Sequence, residues 1–239
     1  MTGPAPRTRG EELLLARVSA AAGRARLGRR LATHPATAYR PRARTGLFRV
    51  LGRRPARVPY GRATAARASP NARLDLYEHG MTVAVQGRIH VVRYATTAVF
   101  RQCARPRGGS PAGAAVLHTL TDVEHRRLVL VGGPAGGDPR PWEHELPRAV
   151  LRAQLPGALA ALRRGERVCF GEIWLTREGV GAGALCAPWQ RVRRIGVQEG
   201  FVVLTLGGQR HRLGPAVSGI PNLFVFRALA EQCRTGDVR

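Results

Sequence analysis

From Arg73 onward, apolar and polar residues alternate in short runs separated by turn residues, the pattern of half-buried strands. The runs are Leu74 to Glu78, Met81 to Gln86, Ile89 to Arg93, Thr97 to Cys103, Ala115 to Thr121 and Leu128 to Val131. His79-Gly80 and Gln86-Gly87 read as tight turns and Gly132 to Gly137 as a flexible loop. Val150, Leu151, Leu155, Leu159 and Leu162 then fall at helical spacing, with Pro156-Gly157 expected to break or kink the helix and Gly165 to end it. Strands resume at Arg167 to Leu175, Val180 to Leu185, Arg191 to Val197, Phe201 to Leu206 and Gln209 to Leu213. The last helix runs from Asn222, a candidate cap after Pro221, to Arg234, and its stripe of Phe226, Leu229, Ala230 and Cys233 is that of a helix lying on a core. The expected class is mainly β with α, a half-open β-barrel plus a capping helix.

Strands followed by a helix occur twice, and the halves can be superposed. Leu76 to Met81, with Gly80, matches Leu175 to Val180, with Gly179; further on, Tyr94, Thr97 and Phe100 match Trp189, Val192 and Ile195 after a four-residue gap. The stretch from Gly165 to Val180, which holds Gly171 and Gly179, together with Pro188-Trp189, Val192, Ile195, Gly200 to Leu204 and Ile220-Pro221-Asn222 through Phe226, resembles the second half of an uncharacterised bacterial family with PH-like domains. That resemblance covers about residues 73 to 234. It implies tandem PH-like half-open barrels of about seven antiparallel strands, each capped by one helix, at 73–164 and 165–239. It implies no reaction, and fold does not fix function.

Composition changes the picture mainly at the amino terminus. The 239 residues are 44% hydrophobic, enough for a core, and carry a formal charge of +24. All 39 cationic side chains are arginine, as a GC-rich genome would impose. Coding bias and function remain alternative sources of the charge, which attracts polyanions in either case. Residues 1–72 hold 16 arginines against Glu11 and Glu12. This arm reads as a basic amphipathic helix over Glu11 to Leu31, lying on an anionic surface or packed on the folded part, followed by a disordered linker from Thr33 to Pro70.

Within the linker, Arg42, Arg44, Arg49, Arg53, Arg54 and Arg57 are the candidate polyanion contacts, with Leu47, Phe48, Val50 and Leu51 as an apolar wedge if the target is a membrane. Arg191, Arg193 and Arg194 form a second basic patch, with Arg191 and Arg193 expected on one outward face opposite Val192. The hairpins at Glu78-His79-Gly80 and Arg177-Glu178-Gly179 carry no basic cluster of the kind that holds a phosphoinositide.

No catalytic motif, metal spacing or phosphate-cradling loop is present. Glu143-His144-Glu145 and Asp122, Glu124 and His125 read as solvated loop or turn residues. The four cysteines lack CxxC spacing and are expected to be reduced and buried. No signal peptide and no apolar run of membrane-spanning length is present, so the chain is expected in the cytoplasm, free or at the inner face of the membrane. The expectation is a non-enzymatic binding or scaffold protein, without cofactor, whose partner is a protein or peptide. The alternative is sequence-independent association with nucleic acid through the arm.

Overall fold

The computed structural model describes residues 8–41, 68–104, 115–134 and 138–236. Fourteen strands and three α-helices are present among them, and the fold is mainly β with α, its curled sheets forming a half-barrel. After helix α1 (Arg9–Arg24), a meander of β1 (Arg30–Tyr39), β2 (Ser69–Tyr77), β3 (Gly80–Val85) and β4 (Arg88–Arg93) is followed by one of β5 (Val99–Ala104), β6 (Ala115–Thr121) and β7 (Arg127–Pro134), then helix α2 (Pro141–Arg163). The order then repeats. Four strands, β8 (Val168–Phe170), β9 (Ile173–Leu175), β10 (Gly179–Ala182) and β11 (Leu185–Pro188), precede three, β12 (Val192–Gln198), β13 (Phe201–Leu206) and β14 (Gln209–Ala216), and helix α3 (Leu223–Thr235) closes the chain.

All pairings are antiparallel. In the first half the two meanders form one sheet, in the order β4-β3-β2-β1-β7-β6-β5. The joint is β1, which pairs with β2 along its length and with β7 through Thr37, Ala38 and Tyr39. This corrects the expected linker, since its first residues, Thr33 to Tyr39, are a strand and its last, Ser69 and Pro70, open β2. The seven-stranded sheet therefore takes in residues before Arg73.

β1 has few large apolar residues, which hid it. It is held by its neighbours: Thr33 Oγ1 donates to the fully buried Asp75 carboxylate of β2 at 2.6 Å, and Arg73 Nε reaches the same group at 2.7 Å. Pro35 is tolerated because β7 does not reach that far along β1, so its missing N–H lies on an open edge. Helix α1 also stops at Arg24, short of the expected Leu31, where Arg26 and Gly28 adopt left-handed φ of 53° and 81°. α2, by contrast, runs through Pro147 and Pro156 without the expected break.

The halves use corresponding contacts at one place. Gly80 opens β3 and Gly179 opens β10; a Cβ at Gly80 would meet the Val92 carbonyl of β4, and one at Gly179 the Ala187 carbonyl of β11 at 2.6 Å. The Tyr94 N–H donates to His79 O at 3.1 Å and the Trp189 N–H to Glu178 O at 3.0 Å. The Tyr94 phenol is hydrogen-bonded to the main chain at Tyr77, and Trp189 Nε1 donates to Thr176 O at 3.0 Å. Each half thus uses a glycine so that two strands can close up, and a buried aromatic with a polar tip to pin the following corner.

The main core spans both halves. One buried cluster includes Leu76, Tyr94, Leu130 and Trp142 of the first half and Ile173, Leu204, Phe226 and Leu229 of the second. Phe226 sits edge-on to Phe170, ring centroids 5.6 Å apart, and Gly171, at φ 68°, turns β8 into β9 beside Pro221. No helix among the described residues is long and apolar enough to cross a membrane.

Gly80→Ala should destabilise the fold by roughly 1–3 kcal/mol, because the new methyl has backbone on one side and Leu27 on the other. Gly157→Ala, in mid-helix with nothing within 4 Å of its methyl, should instead stabilise by about 0.5–1 kcal/mol. Urea unfolding of both variants checks the opposite signs.

Candidate functional site

The halves meet at a polar knot whose centre is Asn222. The residue stands before α3 in a left-handed conformation, φ 48°, and is buried. Its side chain does not cap the helix, as the sequence suggested, but turns toward β5. Its N–H donates to Val99 O at 2.9 Å while its Oδ1 accepts from Val99 N at 2.8 Å. Asn222 Nδ2 donates to Thr97 O at 2.9 Å and to Gln154 Oε1 at 2.8 Å, and Gln154 Nε2 on α2 donates to Tyr94 O and Thr97 O. Gln154 had no signal in the sequence beyond its place on a helix.

The Val99 bonds fix the direction of the rest of β5. In an antiparallel ladder the N–H and C=O of one residue point to the same side, and successive residues alternate. Val99 faces Asn222, so the main-chain groups of Arg101 and Cys103 also face away from β6, into the open edge. Among the described residues β5 pairs on one side only. That edge borders a groove of about 1080 Å³ between β5, the first turn of α2, the Glu199-Gly200 turn and the start of α3. Arg101 and Cys103 line it with Phe201, Val217, Phe224 and Arg227.

His118 and Glu143 also line the groove. His118, opposite Arg101 on β6, places Nε2 3.1 Å from Glu143 Oε2, and its ring packs edge-on against Trp142. Glu143 corrects the reading of Glu143-His144-Glu145 as a solvated edge: it is the third residue of α2, and its Oε1 accepts from Arg140 N at 2.8 Å and Gly133 N at 2.7 Å. The glycines expected in a loop, Gly132 and Gly133, belong to β7, and a Cβ at Gly132 would strike this carboxylate.

Burial alone would raise the Glu143 carboxyl, but the Arg140 and Gly133 N–H groups and His118 hold it below the ordinary carboxylate value. Burial pushes His118 below the ordinary histidine value, against the pull of Glu143. At neutral pH the pair is a neutral imidazole donating to a carboxylate. The remaining charges at the groove are cationic at Arg101 and Arg227, while Glu199 is engaged by Arg212 at 3.4 Å.

Other expected sites lie elsewhere. Arg42, Arg44, Arg49, Arg53, Arg54 and Arg57, with the wedge Leu47, Phe48, Val50 and Leu51, lie outside the described residues. Arg191, Arg193 and Arg194 are all exposed, but not by alternation as expected: Arg191 ends a 3₁₀ turn, and a register shift between Val192 and Arg194 exposes two successive arginines. Of the cysteines expected to be buried, Cys103, Cys169 and Cys186 are exposed, because each points off its sheet near an edge, and only Cys233 is buried. Asp122 is buried too, accepting from Glu124 N and Arg126 N across the hairpin turn and meeting His90 Nδ1 at 2.8 Å. Among the described residues no three His, Cys, Asp or Glu side chains converge as a metal site.

Both shifts at the groove floor act on stability in one direction. The folded-state values lie below 6.5 for His118 and below 4.5 for Glu143, so on acidification the unfolded chain takes up each proton first. Stability present at pH 7 is therefore lost through the histidine range and again through the carboxylate range. Glu143→Gln should cost roughly 1–3 kcal/mol at pH 7, and the gap to the parent should narrow by pH 4. Thermal unfolding at pH 7, 5.5 and 4 measures it; a gap independent of pH would mean that the carboxylate carries no such load.

No curated protein and no solved structure matches the chain. Residues 144–238, from the first turns of α2 through the whole second repeat, match the model of a family of unknown function, DUF6585.

Proposed function

We propose that this chain is a non-enzymatic binding module that receives an extended, acidic segment of a partner protein alongside β5. The observation that carries this reading is the pairing of Asn222 with Val99. Asn222 supplies a donor and an acceptor to β5 as the first residue of an added strand would, and α3 then leads the chain away. The next outward-facing positions, Arg101 and Cys103, keep their main-chain groups toward the groove, where a guest strand would continue the ladder. The Arg101 and Arg227 guanidiniums favour carboxylates on that guest.

The repeated succession of four strands, three strands and a helix supports reading both halves as PH-like modules, and arginine without lysine supports a bacterial source. A groove whose His118, Glu143 and Glu199 are already engaged within the fold suits recognition better than chemistry.

Arg101→Pro tests the reading, because it deletes an outward N–H while leaving the bonds to β6 intact, and proline is accepted on edge strands. Random peptides displayed on phage and selected on the full-length protein should converge on extended acidic sequences. Arg101→Pro should bind these at least about tenfold more weakly, with the thermal midpoint little changed. Selected peptides that bind the variant as tightly as the parent would refute strand addition at β5.

A further inference from the structure

We propose that the outer face of the β12–β14 sheet is a landing surface for anionic phospholipid, centred on Thr205. Leu204 is fully buried, so by strand alternation Thr205 faces outward, and its register partners are Arg194 on β12 and Arg210 on β14. The two flanking strands lie roughly 10 Å apart, a span over which two arginine side chains can close on one phosphate with the threonine hydroxyl beneath it. Arg193, displaced outward by the β12 bulge, and Arg212, one row along from Arg210, extend the same cationic face.

The cations on this face are largely uncompensated by acids. Exposed arginines elsewhere include some that stand beside carboxylates, as Arg29 does by Glu78 and Arg126 by Glu124, and others, such as Arg148 and Arg163, that have no carboxylate at salt-bridge distance among the described residues. On this face only Arg212 has one, Glu199 at 3.4 Å; among the described residues Arg193, Arg194 and Arg210 have no carboxylate at salt-bridge distance. Like charges on facing and neighbouring strand positions repel unless an anion lies between them.

The shape selects among polyanions. Both hairpins close in two-residue turns, Glu199-Gly200 and Gly207-Gly208, which raise nothing above the sheet and allow it to approach a plane. The one aromatic ring on the face, Phe201, is already covered by the Arg212 guanidinium, 4.4 Å from its centroid, so no platform is open for stacking a base. A planar array of head-group phosphates therefore fits better than nucleic acid.

The test is co-sedimentation of the full-length protein with phosphatidylcholine vesicles with and without phosphatidylserine. The variant Arg194→Gln/Arg210→Gln is compared with a charge-matched control on α2, Arg148→Gln/Arg163→Gln, all four residues being exposed. At about a fivefold loss per arginine, the first pair should weaken binding to the anionic vesicles by on the order of tenfold or more, and the control by much less. Competition with inorganic phosphate separates a single-phosphate pocket, from which it displaces the protein, from a head-group array, from which it does not beyond its effect on ionic strength. Three results would overturn the proposal: no binding of the parent to phosphatidylserine vesicles, equal losses in both double variants, or a single-stranded oligonucleotide that displaces the vesicles and itself depends on Arg194 and Arg210.

Discussion

The pairing of Asn222 with β5 is the constraint on which the relation between the two halves depends. A residue that enters a helix usually spends its side chain on the helix end. Here the left-handed backbone turns both the N–H and the carboxamide of Asn222 toward Val99, and α2 contributes Gln154 to the same knot. Few side chains other than asparagine combine tolerance of that conformation with a donor and an acceptor on so short a stem. The knot aligns β5, α2 and α3, and the groove is the space left among them.

Most of the strands were legible because their apolar residues alternate and glycine marks their turns. The repeat was legible for the same reason: Gly80 and Gly179, and Tyr94 and Trp189, are large local signals that occupy the same places in both halves. What was missed depended on contacts distant in sequence. β1 lacks an apolar signature of its own and exists because β2 and β7 satisfy its main chain on either side and Arg73 balances Asp75. Glu143 looked solvated among polar neighbours, since nothing near it in the sequence announces His118 or the space left by Gly132. The unbroken α2 shows tertiary packing overriding a Pro-Gly pair: Trp142, Leu146, Val150 and Leu162 are all buried beneath it.

Arginine as the only cation shapes how the fold manages charge. The guanidinium fork can share a carboxylate with a hydroxyl, as Arg73 shares Asp75 with Thr33, or lie over a ring, as Arg167 does over Trp174 at 4.5 Å. With 15 acids for 39 arginines, such pairings cannot be general, and some unpaired guanidiniums, Arg194 and Arg210 among them, flank one strand from either side.

The shared main core bears on what counts as a unit in this chain. By element order there are two repeats, and the family match begins within α2, where one ends. Yet Trp142 and Leu146 at the start of that helix belong to the same buried cluster as Ile173 and Phe226, and Asn222 of the second repeat completes an edge of the first. Two smaller clusters, around Val129 and around Leu27, belong to the first half alone, but the main one is built from both. Where two modules share buried side chains in this way, change in either is constrained by the packing of both, so a substitution in one half is felt as a loss of fit in the other.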